Sequence, residues 1–521
     1  MQYNTIIVGA GSAGAILAAR LSEDPSHSVL LIEAGPDYPD FDKMPVPIKY
    51  GYGYDRNIWA NAFSPNSEHS WNYTARGTDE GEEILIPRGK VVGGSSAVNA
   101  QIFLRGIPED FDDWAERGND RWSAQELLPF HRMIETDRDF SDDFHGDDGP
   151  IIARRWKRSE MTVDQDAFYQ ACLDAGFADS PDQNHPDSTG VGPTPFNNPE
   201  GIRWSTVLGY LNPARHRLNL TIKAKVHTHK VLIEDGRAVG VEVESGGEIY
   251  TLNGDEVILA AGAINSPQLL MLSGIGPADH LNDKGIPVVK DLPGVGKNLR
   301  DHPQVQMTWK TFDDFEQDPL GPRIQLTLRY TAEGSPLRND MLIHPFSFAT
   351  ESGIYLLSDE EPLGVGMIIA IYLAKGAGEI TLNSTDPYEQ PFLDYNYLTE
   401  EEDRRRFRDA VRMCVELAGS GPYSKYIEHR VGPTDADLES DEALDQFLLR
   451  NVRTSHHVSG TAKMGPASDD MAVVDQFGKV YGIDNLRVAG ASIMPDCIRA
   501  NTNITAMVIG ERIADFIKSG A

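Results

Sequence analysis

Apolar residues recur along this chain with two periods. Residues 5–11 (TIIVGAG) form a short β-branched run that ends in glycines. Such a run predicts a buried strand. Residues 12–24 (SAGAILAARLSED) carry apolar side chains at helical spacing, and residues 28–35 (SVLLIEAG) form a second buried strand. Strand, helix, strand in that order predicts a βαβ unit and a parallel sheet. Residues 218–263 alternate with period two, with turn signals at Asp235-Gly236 and Asn253-Gly254. They predict a β-meander that returns into the first sheet. Asp313 to Tyr397 is strand-like with Pro and Gly breaks and predicts a second sheet. From Thr399 the pattern is helical. Thr399 with Glu402 predicts a capping box. Glu400/Arg404, Glu401/Arg405 and Glu402/Arg406 have the spacing of ion pairs on a solvated helix face. Residues 501–519 predict a closing helix opened by Asn and Thr. Phe41 to Gly77 reads as irregular loop, and the acidic stretch Asp137 to Pro150 as an exit from the first block.

The length of 521 residues implies two or three domains. A formal charge of -32 argues against a nucleic-acid partner and reads as a solvated surface. Cys172, Cys414 and Cys497 are far apart and have no metal-ligand spacing. No metal is expected, and a reducing cytoplasm fits the cysteine usage. The N-terminus has no basic run or cleavage signal, and no apolar run approaches the ~20 residues of a membrane span. A cytoplasmic protein is expected.

Gly9, Gly11 and Gly14 have G-x-G-x-x-G spacing between the first strand and the first helix. In that context the glycines suit a dinucleotide. Gly9 permits a tight turn, Gly11 lets backbone approach a pyrophosphate, and Gly14 lets helix and strand pack closely. Ser12 and Ala13 open the helix, whose N-terminus favours phosphate. Glu33, followed by Ala34, ends the second strand and can accept from ribose hydroxyls. The fingerprint leaves NAD and FAD both open.

Residues 87–106 (PRGKVVGGSSAVNAQIFLRG) and 262–277 (GAINSPQLLMLSGIGP) resemble the two signatures of the glucose–methanol–choline oxidoreductase family. Residues 291–303 (DLPGVGKNLRDHP), 457–465 (HVSGTAKMG) and 490–515 are similar to further family blocks in the same order. The resemblance implies an α/β protein with FAD as the built-in cofactor. It implies a discontinuous Rossmann-like FAD-binding domain (1–155, 200–305 and 450–521). A substrate domain on an antiparallel sheet with flanking helices would take 156–199 and 306–449. Gly93, Gly94, Ser95 and Asn99 would lie along the flavin. Val226 would meet the adenine, and Ala261 and Gly262 the pyrophosphate side. Ala34, Arg88, Val92, Ala491 and Ile504 complete the implied cofactor site. Val98 occupies the position where some members attach FAD through His, so noncovalent FAD is expected. Gly490 stands where members commonly have Asp, and Gly376-Ala377-Gly378 where Ser-Arg-Gly is usual.

The resemblance further implies oxidation of an alcohol to an aldehyde or ketone, with oxygen or another acceptor reoxidising the flavin. The family block places the base at His457, and Asn503 takes the second position of the pair. A neutral imidazole suits proton abstraction at neutral pH. His456 is expected to face away from the cofactor, because neighbours in an extended or helical segment diverge. The same fold without net redox turnover, as in the family's hydroxynitrile lyases, is the alternative.

Overall fold

The first apolar run becomes the strand Gln2–Val8, in the middle of a seven-stranded sheet. The computed structural model describes residues 2–51, 67–318, 320–351, 353–354 and 360–521. Gln2–Val8 pairs in parallel with Val29–Ile32 and with Glu248–Leu259. Leu220–Lys223 and Leu486–Val488 extend the parallel part. Arg237–Ser245 and His227–Glu234 add the antiparallel meander. All four residues of Val29–Ile32 are buried, as a strand covered on both faces requires. The helices Ser12–Leu21 and Thr502–Ser519 pack on one another against this sheet.

The meander forms, but one of its turns is displaced. Asn253-Gly254 does not turn; it lies inside the twelve-residue strand Glu248–Leu259. The turn is made by Gly246 and Gly247, at φ +61° and +83°. Gly254 serves close approach instead, since a Cβ there would lie 2.8 Å from Ile6 Cγ1.

Among the described residues the second sheet has eight strands. Its main path runs Ile427–Gly432, Pro303–Thr311, Gly364–Ile371, Met341–Thr350, Leu326–Tyr330 and Gly190–Pro193, antiparallel throughout. The architecture is therefore α/β, a Rossmann-like sheet beside an antiparallel one. The two-residue strand Arg453–Thr454 pairs with Gln304 and Pro303. That pairing hangs the segment carrying His456 and His457 directly from the second sheet.

The helix Glu401–Gly419 starts at Glu400, whose side chain makes no cap bond. The expected capping box is absent, because the Thr399 hydroxyl donates to the Asn396 carbonyl instead. The ion pairs are also resorted. Arg404 and Arg408 both reach Glu401, at 2.8 and 2.7 Å. Arg406 is buried and pairs with Asp340 at 3.0 Å. The helix packs on the strand Gly364–Ile371, so part of the arginine run faces the core rather than water.

The stretch Asp137 to Pro150, expected as an exit from the first block, holds a buried ion-pair network. His145 is buried there among three carboxylates, 3.1 Å from Glu135, 3.2 Å from Asp137 and 2.9 Å from Asp182. Arg155 bonds Asp137 and Asp182, and Arg105 bonds Glu135. Burial opposes a charge on His145, but its hydrogen bonds to Asp137, Asp182 and Glu135 outweigh it and push the pKa up to about 11. Glu135, Asp137 and His145 bring ligand-type atoms within 4.8 Å of one another. An imidazolium with both N–H groups on carboxylates has no lone pair for a metal, so the cluster reads as an ion-pair network.

Residues 52–66, inside the expected Phe41–Gly77 loop, and residues 319, 352 and 355–359, inside the expected second-sheet region, lie outside the described residues. Among the described residues the three cysteines are buried and free, and no helix is long and apolar enough to cross a membrane.

Candidate active site

A cavity of about 570 Å³ is lined by residues of both sheets. At one end lie Gly9, Gly11, Ser12 and Ala13, with Glu33 and Ala34. Gly9 has φ +99°, and a Cβ on it would meet the Ala260 carbonyl oxygen at 2.6 Å. That turn aims the N-terminus of Ser12–Leu21 into the cavity. Glu33 Oε2 accepts from the Ala10 N–H at 3.1 Å and Oε1 from the Gly35 N–H at 2.9 Å. Burial raises its pKa to about 7, against the pull of those bonds. Val226, His227 and Trp71 line the same end.

Arg88, Gly94, Ser95, Val98 and Asn99 also line the cavity, as do Ala261, Gly262, Gly490 and Ala491. Gly94 abuts the nucleotide loop, because a Cβ on it would lie 2.6 Å from Gly11 Cα. Four expected contact residues do not line the cavity. Gly93 is buried, with its N–H on the Ala10 carbonyl. Gly14 sits behind the loop, where its missing Cβ makes room for the Gly9 carbonyl. Val92 is buried, with its N–H on the Pro36 carbonyl. Ile504 is buried in the core. The two side chains act through packing.

The other end holds His457. Its backbone N–H donates to Asp301 Oδ1 at 2.9 Å. Asp301 also takes the His302 N–H, the Tyr397 hydroxyl and the Thr454 hydroxyl, so both its oxygens are occupied. The ring of His457 is held at both nitrogens. Nδ1 lies 2.8 Å from Nδ1 of His302, and Nε2 lies 3.0 Å from Nδ2 of Asn501. His302 in turn places Nε2 2.7 Å from the Ile498 carbonyl. These contacts set the tautomers. A carbonyl only accepts, so His302 carries its proton on Nε2. Burial pushes the His302 pKa down to about 3, so the ring is neutral and its Nδ1 is an acceptor. His457 must then donate from Nδ1, which leaves a lone pair on Nε2. Burial also holds the His457 pKa well below the usual histidine range, with His302, His456, Arg88 and His344 adding repulsion.

Asn501, not Asn503, is the amide beside this histidine. Asn503 instead accepts from the Ser12 hydroxyl at 2.7 Å, which ties the two helix N-termini together. Position decides this: Asn501 precedes the first residue of Thr502–Ser519 and has extended backbone, whereas Asn503 is already helical. Asn501 caps nothing with its side chain. His456 does not face away either. Its φ is +65°, a left-handed kink that brings both histidines to the cavity wall. Burial pushes its pKa down to about 3, and its carbonyl accepts from Arg88 Nη2 at 2.8 Å.

Sequence reasoning also assigned no role to His302 and Gln304. His302 is the next-to-last residue of the family-like block 291–303, and Gln304 follows just beyond it. No local pattern links either to a residue some 150 positions away. The residues present fit FAD. Asn503 Nδ2 and Asn501 Oδ1 are buried at the cavity wall without a hydrogen-bond partner among the described residues, the glycine loops lie close to one another, and Glu33 stands ready for a ribose.

The GMC oxidoreductase family matches over residues 3–304 and, with its C-terminal part, over 374–510. An oxygen-dependent choline dehydrogenase of Rhizobium etli is 36% identical over 99% of this chain and 96% of that protein. That of Sinorhizobium fredii is 35% identical with the same coverage. Among solved structures, pyridoxine 4-oxidase from Mesorbium loti has a TM-score of 0.90 at 28% identity, covering 99% of both chains. A formate oxidase of Aspergillus oryzae has a TM-score of 0.89 at 26% identity, covering 100% of this chain and 98% of that one.

Proposed function

The chain belongs to the GMC oxidoreductase family, and from that premise we propose that this FAD-binding enzyme oxidises an alcohol, with His457 as the proton acceptor. The observation that carries the reading is the lone pair on His457 Nε2 at the cavity wall, fixed there by the bond from Nδ1 to His302. FAD, when bound, supplies the acceptor for the carbon-bound hydrogen and its two electrons.

The remaining work belongs to side chains. An incoming hydroxyl takes the place of the Asn501 amide on Nε2 and donates its proton to that lone pair. Asn501 Nδ2 then donates to the substrate oxygen and holds it against the base. Burial keeps the ring neutral, the only form able to take a proton. The N-terminus of Thr502–Ser519 opens at the cavity, and its unpaired N–H groups favour negative charge there.

Asn501 replaces Asn503 in the pair. FAD is held noncovalently, since the buried Val98 has no nucleophile. Acid precipitation checks this: the yellow colour should stay in the supernatant, and colour in the pellet would refute it. Oxygen as the acceptor is supported by the names of the relatives, two oxygen-dependent dehydrogenases and two oxidases. Anaerobic mixing with a panel of alcohols, followed by air, tests the whole reading. Flavin absorbance should fall and then return. A yellow holoenzyme that no alcohol bleaches would instead favour chemistry without net redox turnover.

A further inference from the structure

The two groups at the ends of the imidazole chain come from one short stretch. The Ile498 carbonyl accepts from His302 Nε2 at 2.7 Å, and Asn501 Nδ2 lies 3.0 Å from His457 Nε2. Residues 494–501 are in neither helix nor strand, so their backbone groups must find partners outside any ladder. Side chains from distant segments supply them. Asn298 Nδ2 donates to the Pro495 carbonyl at 3.1 Å, and Arg300 Nε donates to Asp496 Oδ1 at 2.7 Å. Arg329, buried on the second sheet, donates from Nη2 to the Arg499 carbonyl at 3.0 Å.

The Asp110 carboxylate holds Arg499 twice more. Its Oδ2 accepts the Arg499 backbone N–H at 2.9 Å, and its Oδ1 accepts Nε at 2.7 Å. Nη1 of Arg499 donates to the Arg338 carbonyl at 2.9 Å. Asp110 lies in the first turn of the helix Pro108–Glu116, and its Oδ2 also accepts the Ile107 N–H at 2.9 Å. The carboxylate is thereby fixed to that helix. Both residues are buried, Arg499 at 4% exposure and Asp110 at 2%. Neither is a cavity-lining residue. Charge-assisted bonds of this kind are short and directional. By taking backbone and side chain of one residue together, Asp110 fixes the course of the chain at Arg499. That point is one residue after Ile498 and two before Asn501.

We propose that Arg499 and Asp110 are positioning residues for the oxidation of the alcohol: their pair sets where the Ile498 carbonyl meets His302 and where the Asn501 amide meets His457. This rests on the reading of His457 as the proton acceptor. Arg499 acts through Asn501 and His302 and touches neither substrate nor cofactor.

A double-mutant cycle in the holoenzyme, read by anaerobic stopped-flow flavin reduction at saturating alcohol, tests it. Arg499→Met should keep FAD and reduce the flavin about 10- to 100-fold more slowly, the cost of misplacing a group near the reacting atoms. In an Asn501→Ala background the same change should cost about twofold or less, because the group it positions is already gone. Arg499→Lys keeps a charge beside Asp110 and should recover part of the rate. Glu109→Gln breaks the neighbouring surface pair with Arg338 and should reduce normally. A native rate in Arg499→Met, an equal fold-loss in both backgrounds, or an equal loss in Glu109→Gln would overturn the proposal. If Arg499→Met does not fold around FAD, Arg499→Lys takes its place in the cycle under the same criteria. A second readout needs no substrate. In holoenzyme labelled with 15N-histidine, the downfield proton of the His457–His302 bond, identified by its loss in His457→Ala, should move in Arg499→Met and stay in Glu109→Gln. An unmoved resonance would overturn the positioning role. If no alcohol bleaches the flavin, the alcohol-oxidising reading fails, and this resonance still judges whether Arg499 positions the chain.

Discussion

Two buried histidines of this molecule have opposite chemistry. His145 and His457 are both shut away from solvent, and both are held at both ring nitrogens. Around His145 stand Glu135, Asp137 and Asp182, which keep the ring charged. Around His457 stand His302, the Asn501 amide and Arg88; burial, with repulsion from His302, His456 and Arg88, keeps the ring neutral. Burial alone always disfavours the charged ring. The difference lies in what the neighbours can accept. Carboxylates accept from both N–H groups and lock a proton in. A neutral His302 accepts from one nitrogen only, and the other lone pair is left at a cavity. The first arrangement suits a structural clamp and the second a base.

The largest expected effect breaks the second half of this contrast. His457→Ala should keep FAD and lose about 10²–10⁴-fold in the rate of flavin reduction, the range for a positioned acid–base group. Stopped-flow reduction by the best alcohol measures it, and a normal rate would remove His457 from the reaction. His145→Ala breaks the other half. It leaves three carboxylates with two arginines and should lower stability by about 3–5 kcal/mol, as for a buried charge stripped of its partner. Urea unfolding reads this, and the reduction rate of the molecules still folded should stay near normal.

Smaller effects sharpen the comparison. His302→Phe removes the acceptor that fixes the His457 tautomer. A tenfold or greater fall in reduction rate is expected, about 1.4 kcal/mol, with little change in substrate binding. His302→Asn, which can still accept through its amide oxygen, should recover part of the rate; equal rates in the two variants would count against a tautomer role. His456→Ala should cost less than His457→Ala, because its part is to shape the wall.

The two regions should also respond oppositely to pH. The His145 pKa is raised, so its contribution to stability is complete below the ordinary value near 6.5 and is lost as pH rises through about 11. His302, His456 and His457 have depressed pKa values. The unfolded chain takes up protons first, so stability falls as pH drops from about 6.5 toward about 3. Flavin reduction should change little on acidification to about pH 6, since the base stays neutral there. A steep loss near pH 6.5 would show that His457 titrates normally. Denaturation midpoints across pH, native against His145→Gln, separate the alkaline arm.

Much of the scaffold could be read from residue order. The βαβ unit, the glycine loop and Glu33 were legible because each depends on neighbours a few positions away. Most of the expected contact residues do line the cavity, for the same reason: the motifs are local turns with local geometry. Gly14, Val92, Gly93 and Ile504 fell outside because a motif does not say which of its residues face the ligand. The ion-pair network of the acidic stretch around His145 was not legible because its partners, Arg105, Arg155 and Asp182, lie on other segments. The run at Arg404 to Arg406 misled in the same way, since ion-pair spacing on a helix says nothing of which face meets a sheet.

The sequence by itself determined that a nucleotide loop follows the first strand, that a base candidate sits three residues before Gly460, and that two asparagines open the last helix. Tertiary structure decided which asparagine meets that histidine, which of its nitrogens carries the proton, and that His456 joins it at the cavity. The reason is distance along the chain. His302 and His457 are 155 residues apart and Asn501 is 44 residues beyond His457, so their hydrogen bonds exist only once the two sheets and the closing helix have come together.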